Sequence, residues 1–239
     1  MGGAKRESKR VALIVDGRSV GRAGLDRRVV EHLRRMIVRC DLPPAATISE
    51  TKLCVQLGVS RTPLREALKL LAAEGLVDLR PNRRPVVRPI SSSEIVQLFE
   101  AVGAVERAAA ELAAERITPA ALRRLSILQA RMEEHYAVGQ KDAYSNVNAD
   151  IHRAIVAGAG NPVLIETHGS LQSRAKRARF AAFGASGRWE ESVAEHRDIL
   201  QALLDRDTVN AGKLLFDHVI HTGRAVVEAL KEAPRRSAA

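Results

Sequence analysis

The sequence predicts a mainly α-helical protein: an N-terminal unit of three helices and a small β-hairpin, then an antiparallel bundle of about six helices. Three observations support this fold class. The chain is 46% hydrophobic but only 3% aromatic, and a core of Ala, Leu, Val and Ile with few strand formers favours helices. Apolar residues recur at helical spacing through most of the chain. Glycines, prolines and serines separate the periodic segments.

Residues 1–24 carry scattered charges, glycines and serines, and we interpret them as a flexible basic arm. Helical spacing then begins at Arg27 and continues to about Cys40. Two further helices follow, over 49–57 and 60–74. Ser49 and Ser60 stand at their expected N-caps, and Gly58 and Gly75 directly follow their last turns.

Two short apolar runs come next, at 76–79 and 85–87, around the turn Pro81-Asn82-Arg83-Arg84. Runs of this kind on both sides of a turn predict a β-hairpin. Three helices followed by a hairpin with a basic tip make a winged helix-turn-helix, which we assign to residues 25–90.

Residues 91–93 are three serines and mark a linker, with Ser93 as the expected cap of the next helix. The bundle is assigned to residues 94–232, and 233–239 form a tail. Its helices are expected at 93–116, 119–138, 141–158, 161–183, 188–206 and 208–232. Long amphipathic helices joined by short loops predict an antiparallel bundle.

The net charge of +10 is confined to the N-terminal part of the chain. Residues 1–90 contain 19 Lys+Arg and 9 Asp+Glu, whereas residues 91–239 contain 19 of each. A basic unit beside a neutral one indicates a polyanion-binding module joined to a different function. No apolar run reaches membrane-spanning length, and the two cysteines set no disulfide framework. We therefore expect a cytoplasmic protein without membrane contact.

Arg61 and Arg65 are four residues apart near the start of the third helix, so they lie on one face. Arginine pairs with guanine O6 and N7 in the major groove. Ser60 and Thr62 supply short hydroxyls suited to phosphates. Arg83 and Arg84 at the hairpin tip can reach an adjacent groove or backbone. The alternative is that these arginines form a solvated helix face.

Five of the seven histidines lie between residues 152 and 221. Asn148 and His152 are four residues apart, and His196 and His218 lie on two later helices. Three imidazoles from three helices can hold a divalent metal, although a single buried histidine is commonly just a hydrogen-bonded core residue. His135 and His168 are expected in surface or core positions, and Trp189 is expected to pack.

Residues 58–68 (GVSRTPLREAL) and 71–77 (LAAEGLV) resemble the winged helix-turn-helix of the GntR family of bacterial transcription regulators. The resemblance implies that Ser60, Arg61, Thr62 and Arg65 contact operator DNA, together with the wing tip. This chain has Arg84 where the family usually has a glycine.

Residues 94–232 resemble the all-helical effector domain of the FadR branch of that family, the FCD domain. The resemblance rests on Asn148-x-x-x-His152, Gly160-Asn161-Pro162, Glu195-His196 and His218. It implies that Zn²⁺, Ni²⁺ or a similar ion binds the metal ligands Asn148, His152, His196 and His218. It also implies a carboxylate effector, for which we assign Arg174, Arg177 and His221. His221 is in addition the rival of His218 as a ligand. Asn148 stands where aspartate is commoner.

The sequence therefore predicts a homodimeric repressor that binds double-stranded operator DNA and senses a small organic acid. Two alternatives remain at this point. One is a metal-dependent hydrolase, which lacks support because no His-Glu-x-x-His motif or nucleophile elbow is present. The other is a DNA-binding protein without effector control.

Overall fold

The computed structural model of the chain describes residues 22–181 and 188–232. The contacts between residues divide it into two compact units, 1–89 and 90–239. The predicted arm lies outside the described residues except at its end, where the first helix already includes residues 22–24. The expected tail at 233–239 and the predicted break at 184–187 also lie outside them.

The first unit contains three helices: α1 (Arg22–Val38), α2 (Glu50–Leu57) and α3 (Arg61–Ala73). Helices α1 and α2 both pack against α3. The predicted third helix thus ends one residue earlier than expected, and the first begins five residues earlier. Their apolar faces form one core of aliphatic side chains: Val30, Leu33, Ile37, Leu53, Leu57, Leu64, Leu68 and Leu71.

A two-stranded antiparallel sheet completes this unit. Strand β1 (Val77–Asp78) pairs with β2 (Val86–Val87), in the register Val77 opposite Val87. Both strands are shorter than the sequence predicted. Thr47 adds an isolated bridge to Val86, which the sequence did not predict. This bridge ties the segment before α2 to the hairpin.

The second unit contains α4 (Ser92–Arg116), α5 (Pro119–Ala137), α6 (Lys141–Gly158), α7 (Pro162–Ala181), α8 (Trp189–Leu204) and α9 (Thr208–Glu232). No β-strand is present among its described residues. The expected cap Ser93 is wrong: Ser91 is the N-cap of α4, and its hydroxyl accepts a hydrogen bond from the backbone N–H of Glu94. The start of the helix therefore lies one residue before the predicted one.

Helices α4 and α9 make the longest contact in this unit, and α5 packs on α6 while α8 packs on α9. The close approach of α4 and α9 depends on Gly223, because a Cβ there would lie 2.6 Å from Cβ of Phe99. Helices α4, α6, α8 and α9 surround the interior in which the candidate site lies. Within the described part of the chain, no helix is long and apolar enough to cross a bilayer.

Candidate nucleic-acid interface and metal centre

The turn between α2 and α3 is built from Gly58 and Ser60. Gly58 has a φ of 66°, a left-handed conformation that favours glycine, and its N–H bonds to the carbonyl of Cys54. Ser60 occupies the N-cap position of α3, as predicted. Its side chain makes no capping hydrogen bond, however, so the cap role assigned to the hydroxyl is wrong. The hydroxyl stays exposed at the helix N-terminus, where phosphates bind well.

The predicted DNA-contacting residues of α3 all lie at its exposed N-terminal end: Ser60, Arg61, Thr62 and Arg65. Leu64 and Leu68 of the same helix are buried, so the helix presents a polar face opposite its core face. Nε of Arg65 donates a 2.8 Å hydrogen bond to Oε2 of Glu50 on α2. The guanidinium is thereby anchored on one edge, while its side chain stays 63% exposed.

Arg83 and Arg84 lie exposed in the turn between β1 and β2. The residue of this turn with a left-handed backbone is Asn82, with a φ of 55°. Asparagine tolerates this conformation better than most residues. Arg84 has no positive φ, so the backbone conformation at this position does not require a glycine. Both arginines are presented at the wing tip, as the sequence predicted.

The rings of His152 on α6, His196 on α8 and His218 on α9 converge in the second unit. Their centroids are 4.4 to 5.2 Å apart. Each residue is buried, with an exposed fraction of 1 to 2%. One ligand atom from each ring lies within 4.8 Å of the other two. His218, not His221, completes this histidine cluster.

Two of these imidazoles have depressed pKa values. Burial, followed by the neighbouring His218 and His152, holds the pKa of His196 well below its usual range. Burial also lowers the pKa of His218 to about 4, against the opposing hydrogen bond to Glu195. These two rings are therefore neutral at pH 7. A neutral imidazole keeps the lone pair that a metal requires.

Free nitrogen atoms and one amide oxygen complete the donor set. Nε2 of His152 and Nδ1 of His196 are buried and have no hydrogen-bond partner among the described residues. Nε2 of His196 lies 2.9 Å from Oδ1 of Asn148. An amide oxygen accepts this bond from an imidazole N–H, so Nε2 of His196 can bind an ion only if that proton leaves or moves to Nδ1. The three rings could therefore hold a divalent ion, and the amide oxygen of Asn148 lies beside them.

Sequence reasoning missed two carboxylates behind this cluster. Glu106 of α4 is fully buried and lies 2.6 Å from Nδ1 of His152 and 2.8 Å from Nε2 of His168. Glu195 of α8 lies 2.7 Å from Nδ1 of His218. Glu106 stands on the apolar face of a long helix, where a charged residue is rare unless paired. A glutamate on an apolar helix face was therefore the feature of the sequence that could have indicated a buried, paired carboxylate.

A cavity of about 150 Å³ adjoins the cluster at Asn148 and Arg188. Lys141, Lys176 and Arg179 add three further cations, and none of its described lining residues is acidic. The stacked rings of Tyr144 and Trp189, 4.8 Å apart, form one wall. The expected packing role of Trp189 therefore includes this cavity. Ala225, Val226 and Ala229 of α9 add an apolar part to the lining.

Arg179 is the least satisfied of these cations. Its Nε and Nη2 are buried and have no hydrogen-bond partner among the described residues. The guanidinium lies 5.3 Å from the ring of Phe99, and burial lowers the pKa of Arg179. Arg174 and Arg177, the effector residues suggested by the sequence, are not among the described residues that line the cavity. His221 contacts Glu195 and stays half exposed.

Comparison with known proteins assigns both units. The FCD domain matches residues 97–221, and the family described as "Bacterial regulatory proteins, gntR family" matches residues 25–87. The chain therefore belongs to the GntR family of bacterial regulators that carry an FCD domain. It is a DNA-binding transcriptional regulator. The hydrolase alternative is wrong, because the family and the relatives are regulators and not enzymes.

Individual relatives agree with this assignment. The HTH-type transcriptional repressor RspR of Escherichia coli K12 is 28% identical over 210 residues, covering 87% of this chain and 91% of its own. The Nta operon transcriptional regulator of Aminobacter aminovorans is 27% identical, covering 83% and 92%. The structure of E. coli McbR/YncC shares the fold with a TM-score of 0.75 at 23% identity, covering 87% and 99%.

Proposed function

We propose that this regulator is a homodimeric repressor whose affinity for operator DNA is controlled by a small organic acid. The acid binds beside a divalent metal ion in the helical unit. The observation that carries the proposal is the convergence of His152, His196 and His218 next to a cavity. The charged residues that line this cavity in the described part of the chain are all cations. The relative RspR is itself named a repressor.

The DNA-binding half of the proposal rests on the exposed end of α3. Arg61 and Arg65 read guanine edges in the major groove, and Ser60 and Thr62 contact phosphates. Arg83 and Arg84 contact the DNA beside this groove from the wing. Two protomers place two such helices on a palindromic operator. The excess charge of residues 1–90 supports this half, since neutralised phosphates supply most of the affinity.

In the ligand-binding half, the metal site rests on the donor set. His152, His196, His218 and the amide oxygen of Asn148 would hold Zn²⁺, Ni²⁺ or a similar ion. When bound, the ion supplies an open coordination position for a carboxylate oxygen of the effector. The protein supplies the neutral imidazoles of His196 and His218 and a buried setting, which strengthens charge-assisted contacts.

The effector site, also in the ligand-binding half, rests on the charge and size of the cavity. Arg179 has buried donors that find no acceptor among the described residues, and such a charge is costly until an anion pairs with it. A carboxylate matches the fork of a guanidinium. An apolar cavity of comparable volume in another protein holds benzene, so the acid is small. The acid binds one of two conformations better and thereby shifts the operator affinity.

The proposal is tested with operator sites selected from random DNA. Fluorescence anisotropy measures operator affinity with Ni²⁺ alone and with Ni²⁺ plus members of a panel of small mono- and dicarboxylates. We expect one class of acid to change the affinity at least fivefold, within the usual range of allosteric coupling. The absence of any response to acid in the metal-loaded protein would overturn effector control.

Arg179→Met and Arg174→Met form a matched pair for the same measurement. Both replace an arginine of α7, but only Arg179 lines the cavity. We expect Arg179→Met to abolish the response to acid and Arg174→Met to retain it, with operator binding unchanged in both. The opposite result would return the effector contact to Arg174.

A further inference from the structure

Two carboxylates contact the histidine cluster, one fully buried and one 25% exposed. Glu106 of α4 contacts Nδ1 of His152 at 2.6 Å. Glu195 of α8 contacts Nδ1 of His218 at 2.7 Å. An ionised carboxylate only accepts hydrogen bonds, so Nδ1 must be the protonated atom in both rings. In a neutral ring with this tautomer, Nε2 carries the lone pair.

We propose that Glu106 and Glu195 are the positioning residues of the metal centre. They select the Nδ1–H tautomer of His152 and His218 and fix the direction in which each Nε2 points. This inference rests on the metal site proposed above. It gives roles to two acidic residues that are not members of the expected ligand set, which consists of Asn148 and three histidines.

Each carboxylate is itself held in place by further donors. Glu106 also accepts a hydrogen bond from Nε2 of His168 at 2.8 Å. Glu195 accepts from Nδ1 of His221 at 2.9 Å and from Nη2 of Arg188 at 2.6 Å. A carboxylate with several fixed donors cannot rotate away from its imidazole. His168 and His221 therefore act behind the carboxylates, outside the histidine cluster.

The two carboxylates also compensate for the neutral residue at position 148. The proposed ligands, Asn148 and three neutral imidazoles, offer no negative charge to a divalent cation. Glu106 and Glu195 place two carboxylates one imidazole away. A carboxylate behind a ligating histidine raises the basicity of that ligand. Acidic charge is thus supplied from behind His152 and His218 and not at position 148.

The tautomers can be measured without any metal. Long-range ¹⁵N–¹H NMR correlation on chelator-treated, ¹⁵N-labelled protein at pH 7 distinguishes a protonated Nδ1 from a protonated Nε2. We expect His152 and His218 to be Nδ1–H tautomers. His196, which has no carboxylate partner in the described residues, is the internal comparison. An Nε2–H tautomer at His152 or His218 would overturn the inference.

Glu106→Gln and Glu195→Gln test the effect on metal binding by calorimetric titration with Ni²⁺. A glutamine amide can donate to Nδ1 and thereby stabilise the tautomer that protonates Nε2. We expect each variant to bind Ni²⁺ about 10- to 100-fold more weakly, the range for such outer partners. Glu195 is 25% exposed, so its variant remains informative if Glu106→Gln does not fold.

Glu133→Gln is the matched control, because Glu133 pairs with Arg197 and contacts no histidine of the cluster. Its Ni²⁺ affinity should equal that of the wild type. If Glu106→Gln and Glu195→Gln both bind Ni²⁺ as tightly as the wild type, the positioning role is refuted but the metal site is not. A wild-type protein that binds no Ni²⁺ would refute the metal site itself, and the inference with it.

Discussion

The pairing of Arg65 with Glu50 holds an exposed guanidinium in a fixed position at the start of α3. Arginine has five N–H donors, and the bond from Nε to Glu50 uses one of them. The two Nη groups take no part in this bond, and the side chain stays 63% exposed. An arginine with one edge fixed loses less entropy when it pairs with a base than a freely rotating one.

Arg65→Ala should therefore remove roughly 1–3 kcal/mol of discrimination between operator and random DNA. The physical reason is the loss of a paired hydrogen bond to guanine. Competition binding at a fixed salt concentration measures the discrimination between the two DNAs. Lys69→Ala is the control, since Lys69 lies on the same helix and pairs with Glu66. An equal loss on operator and random DNA would make Arg65 a phosphate contact.

At the scale of helices and strands, the contact between α4 and α9 sets the geometry of the second unit. Gly223 of α9 lies against Phe99 of α4, and Gly212 of α9 lies against Glu111. Small residues at such points let two helix backbones approach closely. The same pair of helices carries Glu106 and His218, so their separation also fixes the distance between two parts of the candidate site.

Gly223→Ala should destabilise the protein by about 1–3 kcal/mol, because the new methyl group would overlap Cβ of Phe99. Gly169→Ala is the matched control. Gly169 lies on α7, and a Cβ there meets nothing within 4 Å, so we expect a change between zero and a gain of about 1 kcal/mol. Urea denaturation measures both. Equal stability of the two variants would contradict the close contact of α4 and α9.

At the scale of the whole molecule, the two units have separate cores. The first is built from α1–α3 and the hairpin, and the second contains the histidine cluster within α4–α9. A ligand stabilises only the cooperative unit that binds it. Metal binding therefore provides a way to distinguish the unfolding of the two units.

Ni²⁺ at 100 times its dissociation constant should stabilise the helical unit by about 2.7 kcal/mol. Differential scanning calorimetry should show a higher unfolding temperature for that unit and no change for the winged helix-turn-helix. His196→Ala should remove the shift, since it deletes one ring of the cluster. A shift retained in this variant would place the bound metal elsewhere.

The sequence by itself determined the fold class and which residues at the start of α3 are exposed, while the contacts of these residues with DNA stay a prediction. Gly58, Ser60 and the apolar spacing of α3 are local features, and local features decide where a helix starts and which side chains face outward. The same holds for Asn148 and His152, which are one turn apart. Errors such as Ser93 for Ser91 were small because adjacent serines offer the same capping chemistry.

Only the tertiary structure decided what surrounds the cluster. His152, His196 and His218 lie on three helices, and Glu106 lies on a fourth. Their convergence depends on how far each helix is shifted and rotated against its neighbours, which the periodicity of one helix does not encode. For the same reason the sequence chose Arg174 and Arg177 for the effector, whereas Arg179, two positions beyond Arg177 and so about 200° around the helix, lines the cavity.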